Sequence, residues 1–217
     1  ATSQVVALLI DYGSEVNRGA QINGVHGITP LHLVLHTINH TLNSRILGSE
    51  NVGDLSNSKI GNSKLRNSGI KSWVKTIQLL INSGAMWNPS LQLKKGETEL
   101  YLMLRSYPPP RDDVHVYRTL LSSCLRSSDE MNPLIEDENG KSALFIFCEQ
   151  LSKISSDAFP ESLTLLKMVL DRIPGGGIGG ADRTGRTIFD IEDNIGYSCL
   201  KAARQTLIDA GIRSRTI

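Results

Sequence analysis

Three of the five histidines, His32, His36 and His40, stand at i, i+4 and i+8, which sets them on one face of a helix. A His pair four apart is zinc-ligand spacing, and it becomes hydrolytic when a Glu follows the first His as general base. Here Leu33 follows His32 and no cysteine stands near, so structural and surface roles are expected and a metal is not. Gly175-Gly176-Gly177-Ile178-Gly179-Gly180 contains a formal GxGxxG. That motif holds a pyrophosphate only between a strand and a helix. Pro174 and an apolar helical pattern precede it, and Asp182-Arg183-Thr184-Gly185 follows as a turn, so it reads as a flexible connector. Cys124, Cys148 and Cys199 form no CxxC pair and no zinc spacing. Cys148 and Cys199 read as small packing residues. Asp112-Asp113 and Glu136-Asp137-Glu138 stand out as close carboxylates in loops, and no Ser-His-Asp or Cys-His arrangement accompanies them. No catalytic residue, cofactor or metal is expected.

The elements that carry these residues must come from 217 residues of which 40% are hydrophobic, enough for a sizeable core. Lys and Arg number 23 against 22 Asp and Glu, a formal net charge of +1. That balance, with 5% aromatic residues, argues against a nucleic-acid partner and against an anionic membrane surface. Apolar runs such as Val5 to Ile10 are far short of the roughly 20 residues of a membrane span, and no signal peptide is expected. A sparse, odd cysteine count suits a reducing intracellular compartment, cytoplasmic or nuclear. The sequon Asn39-His40-Thr41 is then expected to be unused.

Two kinds of segment recur. The first is Gly-x-Thr/Ser followed by a short apolar stretch: Gly27-Ile28-Thr29-Pro30-Leu31-His32-Leu33, Gly96-Glu97-Thr98-Glu99-Leu100-Tyr101-Leu102, Gly140-Lys141-Ser142-Ala143-Leu144-Phe145-Ile146 and Gly185-Arg186-Thr187-Ile188-Phe189-Asp190-Ile191. The Thr or Ser hydroxyl is placed to accept a free N–H at a helix start. Pro30 suits the first helical position, and the glycine permits a turn closed to other residues. The second kind is an apolar helix running into a C-terminal glycine or its substitute. It appears as Val5 to Gly13, Thr76 to Ala85, Val116 to Cys124, Thr164 to Ile173 and Ala203 to Gly211. Gly13, Gly84 and Gly211 stand where a left-handed cap belongs, with Cys124 and Ile173 as imperfect substitutes. Leu79, Leu80 and Ile81 are expected together in the core.

The alternation of these segments resembles the ankyrin repeat. The best copy is Thr29-Pro30-Leu31-His32 preceded by Gly13-Ser14-Glu15-Val16-Asn17. Later copies place Glu99 or Ala143 for Pro and Tyr101, Phe145 or Asp190 for His, while Asp137 and Asp182 hold the family's finger aspartate position. The resemblance implies an all-α fold, an ankyrin-repeat solenoid of helix-turn-helix pairs with short β-hairpin fingers. The single domain 1–217 would divide into a half repeat 1–17, a repeat 24–88 carrying an insertion 41–71, repeats 93–132 and 137–180, and a C-terminal capping repeat 182–217. The spacing exceeds the family period of about 33 residues, and most of the excess falls between the two helices of a pair. The insertion 41–71 is rich in Ser, Asn and Gly and carries Arg45, Lys59, Lys64, Arg66 and Lys71. It is expected to be mobile, as a plain solvated loop or as a phosphorylation or docking site. Pro108-Pro109-Pro110-Arg111 reads as a helix break rather than a polyproline ligand.

By the same resemblance the chain is expected to be a non-catalytic module that binds a partner protein or peptide on its concave face. Carried over position by position, the finger residues are Val25, His26 and Ile28, Lys94, Lys95 and Glu97, Glu138, Asn139 and Lys141, then Arg183, Thr184 and Arg186. The first-helix positions are His36, Thr37, Arg105, Ser106, Glu149 and Gln150. Basic residues at Lys141, Arg183 and Arg186 suggest an acidic or phosphorylated ligand. The opening half repeat suggests a monomeric domain of a longer chain. The alternative is a regulatory domain that docks a catalytic domain of that same chain.

Overall fold

A computed structural model describes residues 15–22, 25–48, 73–92, 94–109, 113–128, 130–154, 159–173, 178–179, 181–191 and 197–214. The expected first helix, Val5 to Gly13, and residues 49–71 of the insertion lie outside the described residues, as do residues 174–177 and 180 of the glycine run.

The described chain is mainly helical. In order it runs β1 (Ala20–Ile22), β2 (Val25–Ile28) and α1 (Pro30–Gly48), then a helix over residues 73–82, here α2. There follow α3 (Glu99–Arg105), α4 (Val114–Arg126), α5 (Ala143–Leu151), α6 (Phe159–Leu170), β3 (Ile178–Gly179), a 3-10 turn (Ile188–Asp190), α7 (Tyr197–Asp209) and β4 (Arg213–Ser214).

The four Gly-x-Thr/Ser segments share one local chemistry. Gly27, Gly96, Gly140 and Gly185 take φ of 79°, 77°, 77° and 81°, the left-handed region that costs a side chain roughly 1–2 kcal/mol. Two residues on, each hydroxyl caps the turn that follows. Thr29 accepts from the His32 N–H at 3.3 Å, Thr98 from Tyr101 at 3.2 Å, Ser142 from Phe145 at 3.1 Å and Thr187 from Phe189 at 3.3 Å. Gly84 and Gly211 end α2 and α7 with φ of 89° and 77°.

Three expectations need correction. Helix α1 does not stop before Thr41 but continues to Gly48, because no glycine or proline interrupts residues 31–47. Cys124 is not a helix end: α4 runs on to Arg126, and the Cys124 carbonyl accepts from Ser127 N–H and Oγ–H. Of Leu79, Leu80 and Ile81, Leu80 is buried while its two neighbours are half-exposed. The buried face of α2 is Trp73, Val74, Ile77 and Leu80, the 3.6-residue stripe that a helix packed on one side presents.

The chain forms two compact units. The first comprises Ala1–Trp87 and Pro109–Leu120. Its hairpin pairs Ala20 with Ile28 and Ile22 with Val25, with an irregularity between. The strands meet so closely at Gly19 that a Cβ there would lie 2.5 Å from Gly27 Cα. Behind the hairpin lie Ile28, Leu31 and Leu35, all buried. Asn17 straps the end of α2, donating to Gly84 O at 2.7 Å and accepting from Met86 N–H at 2.8 Å. Trp73 meets Tyr117 edge-on, ring centroids 6.3 Å apart.

The second unit comprises Asn88–Pro108 and Leu121–Ile217. Helices α3 and α5 are buried along almost their whole length: Leu100 to Leu104 in one, Ala143 to Cys148 in the other. Burial of a Leu or Phe side chain is worth about 1.5–3 kcal/mol, and runs of such residues explain why these short helices form. Glu99, at the position held by proline in the best copy, is itself buried and accepts the Asn88 N–H at 2.6 Å. Helices α6 and α7 pack in the same unit, and Arg172 of the segment after α6 donates to the Leu125 carbonyl. Residues β3 and β4 pair in parallel. The segment that follows the glycine run, 181–187, is a turn and not a helix, so the surroundings a dinucleotide loop requires are not met.

Candidate functional site

The second unit carries three turns that precede the capped starts, and two of them are built identically. Asp137 Oδ1 accepts the N–H groups of Asn139 and Lys141, both at 2.8 Å. Asp182 Oδ1 accepts those of Thr184 at 2.9 Å and Arg186 at 3.1 Å. Each turn is closed by the same backbone pair, Asp137 N–H to Lys141 O at 2.9 Å and Asp182 N–H to Arg186 O at 2.9 Å. An aspartate folded over its own next four residues is a local hydrogen-bond device. In the turn before Thr98 no aspartate is present, and the Gln92 side chain substitutes, accepting from Gly96 N–H at 2.7 Å.

The turns also lean on one another. A Cβ on Gly96 would lie 2.3 Å from Glu136 O, and one on Gly140 would lie 3.0 Å from Ala181 O. Arg183 N–H donates to Asn139 O at 2.8 Å. Tyr101 donates its hydroxyl to Asp137 Oδ2 at 2.8 Å, tying α3 to the next turn. Burial, with the Asp137 hydrogen bond added, pushes that hydroxyl well above its ordinary pKa. Asp182 shows the opposite balance. Desolvation raises its pKa, but hydrogen bonds from Thr184 and Arg186 and the Arg186 charge outweigh that and hold it below the usual carboxylate range.

Behind the turns lies an internal charge lattice. Arg105 pairs with Glu97 at 3.1 Å, Lys141 with Glu149 at 2.9 Å, and Arg186 with both Glu149 and Asp182. The cations also sit over rings. Arg105 lies 5.9 Å from the Tyr101 centroid, while Lys141 and Arg186 lie 5.4 Å and 5.5 Å from that of Phe145, within the range of cation–π attraction. Lys141 and Arg186, expected as ligand-binding cations, are therefore already engaged by Glu149. A readable signal existed for this pairing. The middle residue of Gly-x-Thr/Ser and the residue eight positions on carry opposite signs, Glu97 with Arg105 and Lys141 with Glu149.

The expected site residues divide by exposure. Ile28 at 2%, Ser106 at 4% and Glu97 at 9% exposure offer little surface: Ile28 packs inward, Ser106 ends α3 with its hydroxyl on Met103 O, and Glu97 holds Arg105. Arg105, Lys141, Glu149, Gln150 and Arg186 are half-buried. Lys94, Lys95, Glu138, Asn139, Arg183 and Thr184 are exposed. In the first unit, His26 and Thr37 are exposed and His36 is half-buried. Val25 lies in β2, with its side chain outside the described set. Of the three histidines, His32 is fully buried, so His32 and His36 occupy different environments; the His40 side chain is outside the described set, as is that of Cys199. Burial, with the Glu149 charge added, pushes the Cys148 thiol up to about 12, and burial with the Glu99 charge raises Cys124 well above its ordinary value. Both are the inert kind of cysteine.

The chain matches no protein-family model, and no curated protein shows a significant match to it. Among the described residues no helix is long and apolar enough to cross a membrane, and no group of three or more His, Cys, Asp and Glu could hold a metal ion.

Proposed function

We propose that this chain is a non-catalytic binding module of the ankyrin type, which holds a partner protein or peptide against its turns and the adjoining helix faces. The observation that carries the reading is the recurrence of one turn-and-cap device, Asp137 to Ser142 and Asp182 to Thr187, leaning turn upon turn. Such repetition builds an extended surface from short local units. Its exposed residues, Lys94, Lys95, Glu138, Asn139, Arg183 and Thr184, are polar and varied, which suits recognition. The half-buried Gln150 borders them.

The test uses a partner captured with the full chain and then identified. Lys95→Glu with Arg183→Glu should weaken its binding roughly tenfold or more while leaving the unfolding transition in place. Reversal of Lys75 on α2 and Lys167 on α6, both exposed, should leave affinity within about twofold. Binding lost in the second variant and kept in the first would put recognition on the other helices.

A further inference from the structure

Charge on the second unit is sorted by depth. Close to the helices the charges are paired, Glu97 with Arg105, Lys141 with Glu149, and Arg186 with Glu149 and Asp182, except Asp137, whose carboxylate takes the Tyr101 hydroxyl and two turn N–H groups. At the tips the opposite holds. Lys94 and Lys95 stand on the first turn, Glu136 and Glu138 on the second and Arg183 on the third, all exposed. Among the described residues no ion pair engages any of them. The net field that a partner meets therefore comes from the tips, in the order positive, negative, positive.

The tips are also fixed relative to one another. Gly96 has no room for a Cβ against Glu136 and Asp137, and Gly140 has little against Ala181 and Arg183. The Arg183 N–H to Asn139 O bond of 2.8 Å joins the second tip to the third. Tyr101 reaches Asp137 from α3. A ridge held this way loses little freedom on binding. A uniformly acidic ligand gains at Lys94, Lys95 and Arg183 but is repelled at Glu136 and Glu138, beside the unpaired charge of Asp137.

We propose that the tips read an extended segment of a partner protein whose charges run acid, base, acid. The backbone bond from Arg183 to Asn139 sets the third tip directly beside the second, and the first lies against the second at Gly96, so the complementary segment meets the three tips in that order with its charged residues close together in sequence. Acidic side chains meet Lys94 and Lys95 at one end and Arg183 at the other, and the base meets Glu138 between them. This rests on the binding-module reading and adds the chemistry of the ligand to it.

The experiment is a selection of displayed random 12-residue peptides on the full chain and on a charge-inverted variant, Lys94→Glu, Lys95→Glu, Glu138→Lys and Arg183→Glu. All four positions are exposed, and unchanged far-ultraviolet dichroism and urea midpoint would certify the variant's fold. The parent should enrich peptides with charges in acid–base–acid order, and the variant should enrich base–acid–base peptides. An acid–base–acid peptide from the first selection should bind the variant roughly tenfold more weakly and should lose affinity as salt is raised. An empty selection, the same peptides from both chains, or peptides with no charge order would overturn the proposal. Peptides with no order that nevertheless lose affinity on Gln150→Ala would leave the binding surface standing and remove only its charge code.

Discussion

The turn at 137–141 and the turn at 182–186 are made by the same bonds, yet they lead into different structures. Ser142 opens a helix of nine residues. Thr187 opens a 3-10 turn of three, after which Ile191 is extended at φ −65° and ψ 121°. Turn, glycine and cap hydroxyl are shared, so none of them sets the length of the helix. What differs is the residue five places after the glycine. Phe145 is buried at 1% exposure and carries Lys141 and Arg186 over its ring. Asp190 is exposed and turns back, its Oδ2 accepting Thr187 N–H at 2.8 Å to complete a capping box. A start signal needs only local hydrogen bonds; a helix of α5's kind needs an unbroken run to bury.

Truncating the side chains at these two positions should have unequal consequences. Phe145→Ala removes a buried aromatic side chain and should cost about 3–5 kcal/mol, seen as a large fall in the urea midpoint. Asp190→Ala, at an exposed site, should move the midpoint only slightly. A comparable shift from both would mean that the 3-10 segment is as deeply packed as α5.

The glycines sharpen the same point, because left-handed backbone and close approach can be separated. Gly27→Ala meets open space and should cost only the roughly 1–2 kcal/mol of the conformation. Gly96→Ala meets Glu136 O at 2.3 Å and should cost about 1–3 kcal/mol more by overpacking. Equal costs in urea unfolding would show that the turn at Gly96 does not touch residues 136–137.

Ser142→Ala should then cost about 1 kcal/mol through the lost cap, measured the same way. A value indistinguishable from zero would take the hydroxyl out of the account of α5.

Acid should act on the third turn. Asp182 has its carboxyl held below the ordinary range, so its contribution is complete above the unfolded value of about 3.9 and fades as pH falls through the depressed folded value. Hydrogen exchange, corrected for its intrinsic pH dependence, should show Thr184 and Arg186 amides losing protection below about pH 4. Asp182→Asn should flatten that dependence, and an unchanged profile would assign the acid sensitivity elsewhere.

What was legible in the sequence was whatever depends on a few neighbouring residues. The glycines at 27, 96, 140 and 185, the four hydroxyl caps and the terminal glycines of α2 and α7 belong to this class, because turn and cap chemistry is local. The aspartates 137 and 182 were placed correctly as turn residues for the same reason. What was not legible depends on contacts across the fold. The Tyr101 bond to Asp137 spans separate segments, and Glu149's double engagement needs the third turn laid beside the second. Lys141 and Arg186 share the carboxylate of Glu149 in the folded chain, a pairing that charge counted residue by residue does not show. The length of α1 is not legible from composition, because the polar residues after Thr41 include no helix breaker before Gly48.

Site-specific photo-crosslinking to a captured partner tests the central claim most directly. A benzophenone side chain placed at Asn139, on the exposed second tip, should crosslink the partner with high yield, and one at Lys167, on the exposed face of α6, should not. Crosslinking at Lys167 and none at Asn139 would contradict the claim that the stacked turns are the binding surface.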